Sequence, residues 1–349
     1  MELAIALTLL ITGFYVGWNI GANDAANCIG TTVGARIISF RKAALLMAAC
    51  VILGGVVHGH HVMKTVGKGI VISSAEAYEN AHNKPPPRKF AQFFPDEKLP
   101  DLAIFVALFS AGLFVTLATF SSIPVSTSQA IVGGVAGAGL GIVGFQANYF
   151  KLNILAKIFA CWVISPILTM VLAFGLYSGI TYVLKGTRAI YIWNRLLVLL
   201  AIGSGGYVAY SLGANDVGNA IGPLLNKYPD KGIYLALLGG VAMGTGALTY
   251  GRKVTNTVGK SITPLDLPGA FSAQFAAAFG VHIFSVLGIP VSTSQAVVGA
   301  VIGVGLTKGA RAVSRNKITT IVVGWVLAPT CAAAFASVLY RIIRCFFEG

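Results

Sequence analysis

Charge is what this chain has least of. Asp, Glu, Lys and Arg make up 10% of its 349 residues, and only 11 are acidic. A soluble domain carries about 25% charged residues to cover its surface, so a soluble globular protein of this size is excluded. Cysteine is scarce as well. Cys28, Cys50, Cys161, Cys331 and Cys345 are scattered and lack CxxC spacing, which argues against a disulfide framework or a thiolate metal site. Also missing are a P-loop, an HExxH pair and a Ser–His–Asp arrangement. An ATPase or membrane hydrolase would have no machinery here, and the chain is not expected to be an enzyme. No basic region precedes the first apolar run, only Met1 and Glu2, so that run reads as a membrane segment and not as a cleavable signal peptide.

What is present is apolar sequence in long runs. Hydrophobic residues make up 56% of the chain and the mean hydropathy is +0.80. Runs such as Leu3–Ile20, Leu102–Phe120, Ile158–Leu184 and Ile318–Ile343 approach or exceed the roughly 20 residues of helix that span a bilayer core. The fold class that follows is an all-α, multi-pass integral membrane protein, expected in the cell's inner (plasma) membrane. The net charge of +14 comes from Lys and Arg set singly or in pairs between apolar segments, as at Arg41-Lys42 and Arg252-Lys253. That placement suits topology-setting loops against anionic lipid and gives no footprint for nucleic acid.

The sequence repeats itself. Gly21-Ala-Asn-Asp-Ala-Ala-Asn27 returns as Gly213-Ala-Asn-Asp-Val-Gly-Asn219, and Thr65-Val-Gly-Lys68 returns as Thr257-Val-Gly-Lys260, both 192 positions later. Pro124-Val-Ser-Thr-Ser-Gln-Ala130 recurs unchanged as Pro290–Ala296, 166 positions later, and Trp162, Val163 and Pro166 return as Trp325, Val326 and Pro329. Landmarks kept in order mark a duplicated unit, read as residues 1–184 and 185–349. The change of offset places a 26-residue insertion in the first half, assigned to residues 75–100. That stretch holds three consecutive prolines and no apolar period, and reads as a solvated surface loop without regular helix.

Each half shows about five hydrophobic segments, although residues 151–184 are long enough to hold more than one crossing. An odd number of spans inverts the second half relative to the first. The expectation is two inverted-topology repeats with about 10–12 transmembrane helices, broken or re-entrant at the substrate site.

Asp24 and Asp216 are the sharpest chemical signal. The other nine acidic residues fall in loops, termini or the insert, whereas these two sit at equivalent positions inside apolar runs. An aspartate at mid-membrane costs about 2.5–3.5 kcal/mol on insertion scales, so it usually faces a partner or a pathway. The rival reading is an interfacial helix cap. Asn23, Asn27, Asn215 and Asn219 beside them argue for a polar site: Asp24 and Asn27, three apart, share a helix face. Carboxylate and amide oxygens are hard ligands suited to Na⁺ or to a proton relay. Glycines at 13, 17, 21, 203, 205, 206 and 213 allow local unwinding, which membranes tolerate where backbone lines a cavity.

The Pro-Val-Ser-Thr-Ser-Gln motif has the grammar of an anion site. Proline is favoured at a helix start and hydroxyls satisfy the free amides there, and helix amino ends attract anions. The donors are Ser126, Thr127 and Ser128 in one copy and Ser292, Thr293 and Ser294 in the other. Two such ends facing one another would hold an oxyanion without arginine. Gln129 and Gln295 can offer an amide oxygen to a cation or amide hydrogens to the anion. The rival reading is a Ser/Thr-rich turn capping a buried helix. Beyond the motif, glycines four apart (Gly133, Gly137, Gly141; Gly299, Gly303) predict close helix packing. His58, His60 and His61 read as a protonatable interfacial patch and not a metal site, since no Cys or carboxylate pairs with them. Lys68 and Lys260 are candidates for a vestibule that draws in anions.

In its paired Gly-Ala-Asn-Asp and Pro-Val-Ser-Thr-Ser-Gln-Ala motifs the chain resembles the inorganic phosphate transporter (PiT) family, over nearly its whole length. One departure, Ala25-Ala26 and Cys28 within the first motif, touches packing residues only. The resemblance implies a secondary active symporter that imports phosphate down a cation gradient, as a homodimer, with no cofactor beyond the co-transported ion. Phosphate would lie between Ser126–Ser128 and Ser292–Ser294, and Na⁺ on Asn23, Asp24, Asn215, Asp216, Gln129 and Gln295, supported by Asn27 and Asn219. Proton coupling, carriage of a metal phosphate or sulfate as substrate is the alternative of the same class. A passive anion channel is the alternative of a different one.

Overall fold

The computed structural model describes residues 2–34, 37–120, 125–186, 190–252, 255, 265–307, 309 and 315–348. Pro124 and the second Thr-Val-Gly-Lys copy with Lys260 lie outside the described residues. The chain runs α1 (Glu2–Gly34), α2 (Phe40–Lys68), α3 (Ala75–His82), α4 (Phe90–Phe93), α5 (Asp101–Phe120), α6 (Thr127–Val143), α7 (Leu152–Lys185), α8 (Ile190–Ile221), α9 (Gly232–Thr249), α10 (Leu267–Val286), α11 (Thr293–Thr307) and α12 (Arg315–Glu348). A helix satisfies every backbone group within itself, which a lipid solvent demands. Among the described residues eight helices are long and apolar enough to cross a membrane. The two shorter apolar ones, α6 and α11, both begin at the serine motif. The long segment after residue 151 is a single helix, α7, of 34 residues.

The repeat is visible in how helices approach one another. A Cβ added at Gly133 of α6 would lie 2.3 Å from the Pro329 carbonyl oxygen of α12, and one at Gly299 of α11 would lie 2.2 Å from the Pro166 carbonyl oxygen of α7. Gly137 and Gly303 meet the Ala333 and Met170 carbonyls in the same way. The glycine stripes therefore let each serine-motif helix lie against the last long helix of the opposite half. This explains why Pro166 and Pro329 recur together with the stripes.

The glycines expected to unwind α1 and α8 do something else. Both motifs sit in uninterrupted helix. Gly21 meets the Met243 carbonyl oxygen at 1.9 Å from its would-be Cβ, and Gly213 meets that of Val51 at 2.1 Å. These two contacts are also 192 positions apart at both ends. The glycines bring α1 onto α9 and α8 onto α2, and an intact helix is what makes that approach possible.

The insert is also more ordered than its sequence suggests. Ser74 caps α3 by accepting from the Ala77 amide at 3.3 Å, and Asn83 ends it in the left-handed conformation (φ 51°). Tyr78, Phe90 and Phe94 then pack their rings around the buried Tyr149. Asn148 donates to the Tyr78 hydroxyl at 3.0 Å, and an isolated bridge joins Val71 to Phe150. Four aromatic rings supply the apolar area that the missing periodicity did not advertise. Two features are as expected: the three consecutive prolines lie outside helix, and most of the insert's polar side chains are exposed.

Candidate functional site

The site forms where α6 and α11 begin, against the C-terminal parts of α1 and α8. Ser126 and Ser292 act as N-caps, each hydroxyl accepting from the amide three residues on, Gln129 at 3.3 Å and Gln295 at 3.2 Å. Capping starts each helix inside the protein: Ser126, Thr127, Ser128, Ser292 and Thr293 are all buried. The two amino ends abut. Ser128 donates to the Val291 carbonyl at 2.7 Å, and Ser294 reaches the Val125 carbonyl at 3.5 Å, the equivalent pair from the other side. Trp162 of α7 fixes the second entry by donating to the Pro290 carbonyl at 3.2 Å.

Asp24 and Asp216 are both buried beside these ends. Each accepts from the asparagine one turn on, Asn27 and Asn219, at 2.7 Å. Each also accepts from the threonine of its own half's serine motif, Thr127 to Asp24 at 3.4 Å and Thr293 to Asp216 at 2.8 Å. Thr127 and Thr293, assigned to an anion from the sequence, are thus committed here to carboxylates. A buried carboxylate is tolerated only when hydrogen-bonded or charge-compensated, and these contacts provide the first of those conditions.

The halves differ around Ser128. Its single O–H is shared between the Val291 carbonyl and Asp216, the latter at 3.0 Å, and its oxygen accepts from Asn219 at 2.8 Å and from Asn215 at 3.3 Å. Asn215 also holds Val291, donating to its carbonyl at 2.7 Å and accepting from its amide at 3.2 Å. Ser294 has no such links to Asp24, and its hydroxyl instead pairs with Ser292 at 3.0 Å. Asn23 turns away to Thr119 of α5, donating at 2.7 Å. Thr119 and Trp162 were not picked out as site residues from the sequence, although Trp162 carried a signal as a repeated landmark.

Two buried oxygens at equivalent positions have no hydrogen-bond partner, Oε1 of Gln129 and Oε1 of Gln295, and Oδ1 of Asn219 is a third. An orphaned buried carbonyl costs about 1–3 kcal/mol. Asn219 is bonded to Asp216, and Gln129 and Gln295 follow directly on the helix starts that bond the two carboxylates; amide oxygens of this kind suit a small hard cation.

The histidine patch divides. His60 and His61 lie with ring centroids 3.8 Å apart and planes tilted by 36°, while His58 turns to Tyr210 and His282. Among the described residues no group of three or more His, Cys, Asp or Glu side chains is placed to hold a metal ion. Lys68 is exposed at the end of α2.

Residues 20–200 and 191–336 match the model of the phosphate transporter family. The chain belongs to that family. Among members of the phosphate transporter family, it is 30% identical to a "Putative phosphate permease" of Methanocaldococcus jannaschii, over 98% of this chain and 99% of the relative. Another of that name from Thermococcus kodakarensis is 29% identical, over 96% of each. The fold also matches a solved structure, "The sodium-dependent phosphate transporter", with a TM-score of 0.84 and 28% identity, covering 99% of this chain and 100% of that one. The duplicated motifs thus belong to a multi-span phosphate transporter family protein, and both copies converge on one buried site.

Proposed function

We propose that the protein is a Na⁺-coupled symporter that imports inorganic phosphate across the cytoplasmic membrane. The observation that carries this reading is the convergence of both motif pairs on one buried site that contains two carboxylates and the orphaned oxygens of Gln129 and Gln295. In the proposed site Na⁺ binds Asp24, Asp216, Asn23, Asn215 and the two glutamines, with Asn27 and Asn219 in support. Phosphate lies between Ser126–Ser128 and Ser292–Ser294 and takes the first-turn amides of the two facing helix starts. The sodium dependence named for the matched solved structure supports the choice of ion.

Coupling follows from charge. Bound Na⁺ offsets the aspartates and then the incoming anion, so each ion raises the other's affinity by the same factor. Residues 1–184 and 185–349 act as the two repeats, and five apolar helices in each half support an inverted arrangement. A homodimer is part of the reading.

The test is uptake of labelled phosphate into liposomes holding purified protein. An inward Na⁺ gradient should drive accumulation, and Asp24→Asn or Asp216→Asn should abolish it. Accumulation driven by a pH gradient without Na⁺ would replace Na⁺ by H⁺, competition by sulfate would widen the substrate, and uptake that never exceeds equilibrium would mark a channel.

A further inference from the structure

A second polar cluster lies between α2, α8 and α10, apart from the motifs. His58 Nδ1 of α2 and His282 Nε2 of α10 face each other at 3.4 Å. The Tyr210 hydroxyl of α8 lies 2.6 Å from the same His58 nitrogen, and the Tyr207 hydroxyl lies 2.9 Å from His282 Nδ1. The imidazole centroids are 4.9 Å apart, and all four side chains are half-buried.

We propose that His58 and His282 form a binding site for a divalent first-row transition-metal ion such as Zn²⁺ or Cu²⁺. Two histidine nitrogens at 2.0–2.1 Å from a tetrahedral ion stand about 3.3 Å apart, which is the separation already present. The tautomers fit as well. A metal-ligating histidine donates its other ring N–H to an oxygen, and the Tyr207 oxygen is in place to accept from His282 Nδ1. In that tautomer His282 Nε2 and His58 Nδ1 each carry a free lone pair once the Tyr210 hydroxyl, 2.6 Å from His58 Nδ1, gives up its hydrogen bond to the ion. Imidazole and phenol donors without a carboxylate select Zn²⁺, Cu²⁺ or Ni²⁺ over Ca²⁺ and Mg²⁺.

The cluster is peculiar to one half of the repeat. Tyr207 and His282 occupy the positions equivalent to Tyr15 and Thr116, which share a 2.5 Å hydrogen bond. The first half thus keeps the tyrosine contact and has a hydroxyl where the second half has an imidazole. Metal binding would tie α10 to α2. The turn after α10 already rests on α2, since a Cβ at Gly288 would lie 3.2 Å from the His61 carbonyl oxygen. That turn leads directly into Pro290 and the second serine motif, so the ion would hold a segment that enters the central site.

The inference does not depend on the transport reading, and its test uses the metal alone. Purified full-length protein in phosphate-free buffer is titrated with Cu²⁺ and followed by electron paramagnetic resonance and by thermal melting. The wild type and a His60→Ala/His61→Ala double variant should each bind one ion with a two-nitrogen pattern and melt higher with metal. His58→Ala and His282→Thr should lose the two-nitrogen pattern, the melting shift and at least tenfold in affinity. His282→Thr installs the residue type that the first half already carries at Thr116. A two-nitrogen signal that survives in both variants, one that disappears with His60 and His61, or no binding by the wild type would overturn the assignment.

Discussion

Ser128 of the first half donates a hydrogen bond to Asp216 of the second at 3.0 Å, while its neighbour Thr127 bonds Asp24 of its own half. Two consecutive residues in the first turn of α6 therefore connect both buried carboxylates. A movement of this helix end changes the surroundings of both at once.

The first prediction concerns the difference between Ser128 and Ser294. Ser128→Ala leaves Asp216 and Asn219 short of a partner in a buried site, at a cost of about 1–3 kcal/mol. Ser294→Ala removes only a pairing with Ser292 and a 3.5 Å contact with Val125. Thermal melting in detergent should show a clearly larger loss for Ser128→Ala. Equal losses would contradict the one-sided arrangement.

Gln129→Met and Gln295→Met delete oxygens that no protein group uses. Melting in Na⁺-free buffer should change little. The upward shift on adding Na⁺, which follows from mass action on a folded-state ligand, should shrink or vanish. A full Na⁺ shift in both variants would remove the glutamines from the cation site.

Gly133→Ala and Gly299→Ala place a Cβ within 2.3 Å and 2.2 Å of a backbone oxygen, where no flexible side chain can yield. Overpacking of this kind costs about 1–3 kcal/mol or more. Both variants should melt earlier and give less folded protein in size-exclusion chromatography. Gly175→Ala in α7 meets nothing within 4 Å and should behave as wild type.

Tyr149→Ala removes the ring around which Tyr78, Phe90, Phe93 and Phe94 gather. Emptying a buried aromatic site costs about 3–5 kcal/mol, which here should fall on the folded insert. Trypsin should then cut at Arg88 or Lys89, both exposed, faster than in the wild type while the transmembrane helices stay folded. Unchanged cleavage would mean that the insert is held by other contacts.

The Lys227–Asp101 ion pair is a contrasting case. Its side chains are 29% and 36% exposed, so the pair contributes about 0–1 kcal/mol. Asp101→Asn should leave the melting temperature within about 2 °C of wild type for that reason.

Much of the architecture is written in local sequence. Low charge and long apolar runs require helices in lipid, and four repeated landmarks expose the duplication. Asp24 and Asp216 announce a polar site because an acid in an apolar run is expensive wherever it lies. These inferences need only composition and spacing, which act residue by residue. Partner choice is different. That Ser128 reaches Asp216, that the glycines of α1 and α8 serve helix approach and not unwinding, and that His58 meets His282 across 224 positions all depend on how helices cross. Polarity and period show which face of a helix must be satisfied. Only the tertiary structure, by bringing distant backbones within a few ångströms, decides what satisfies it.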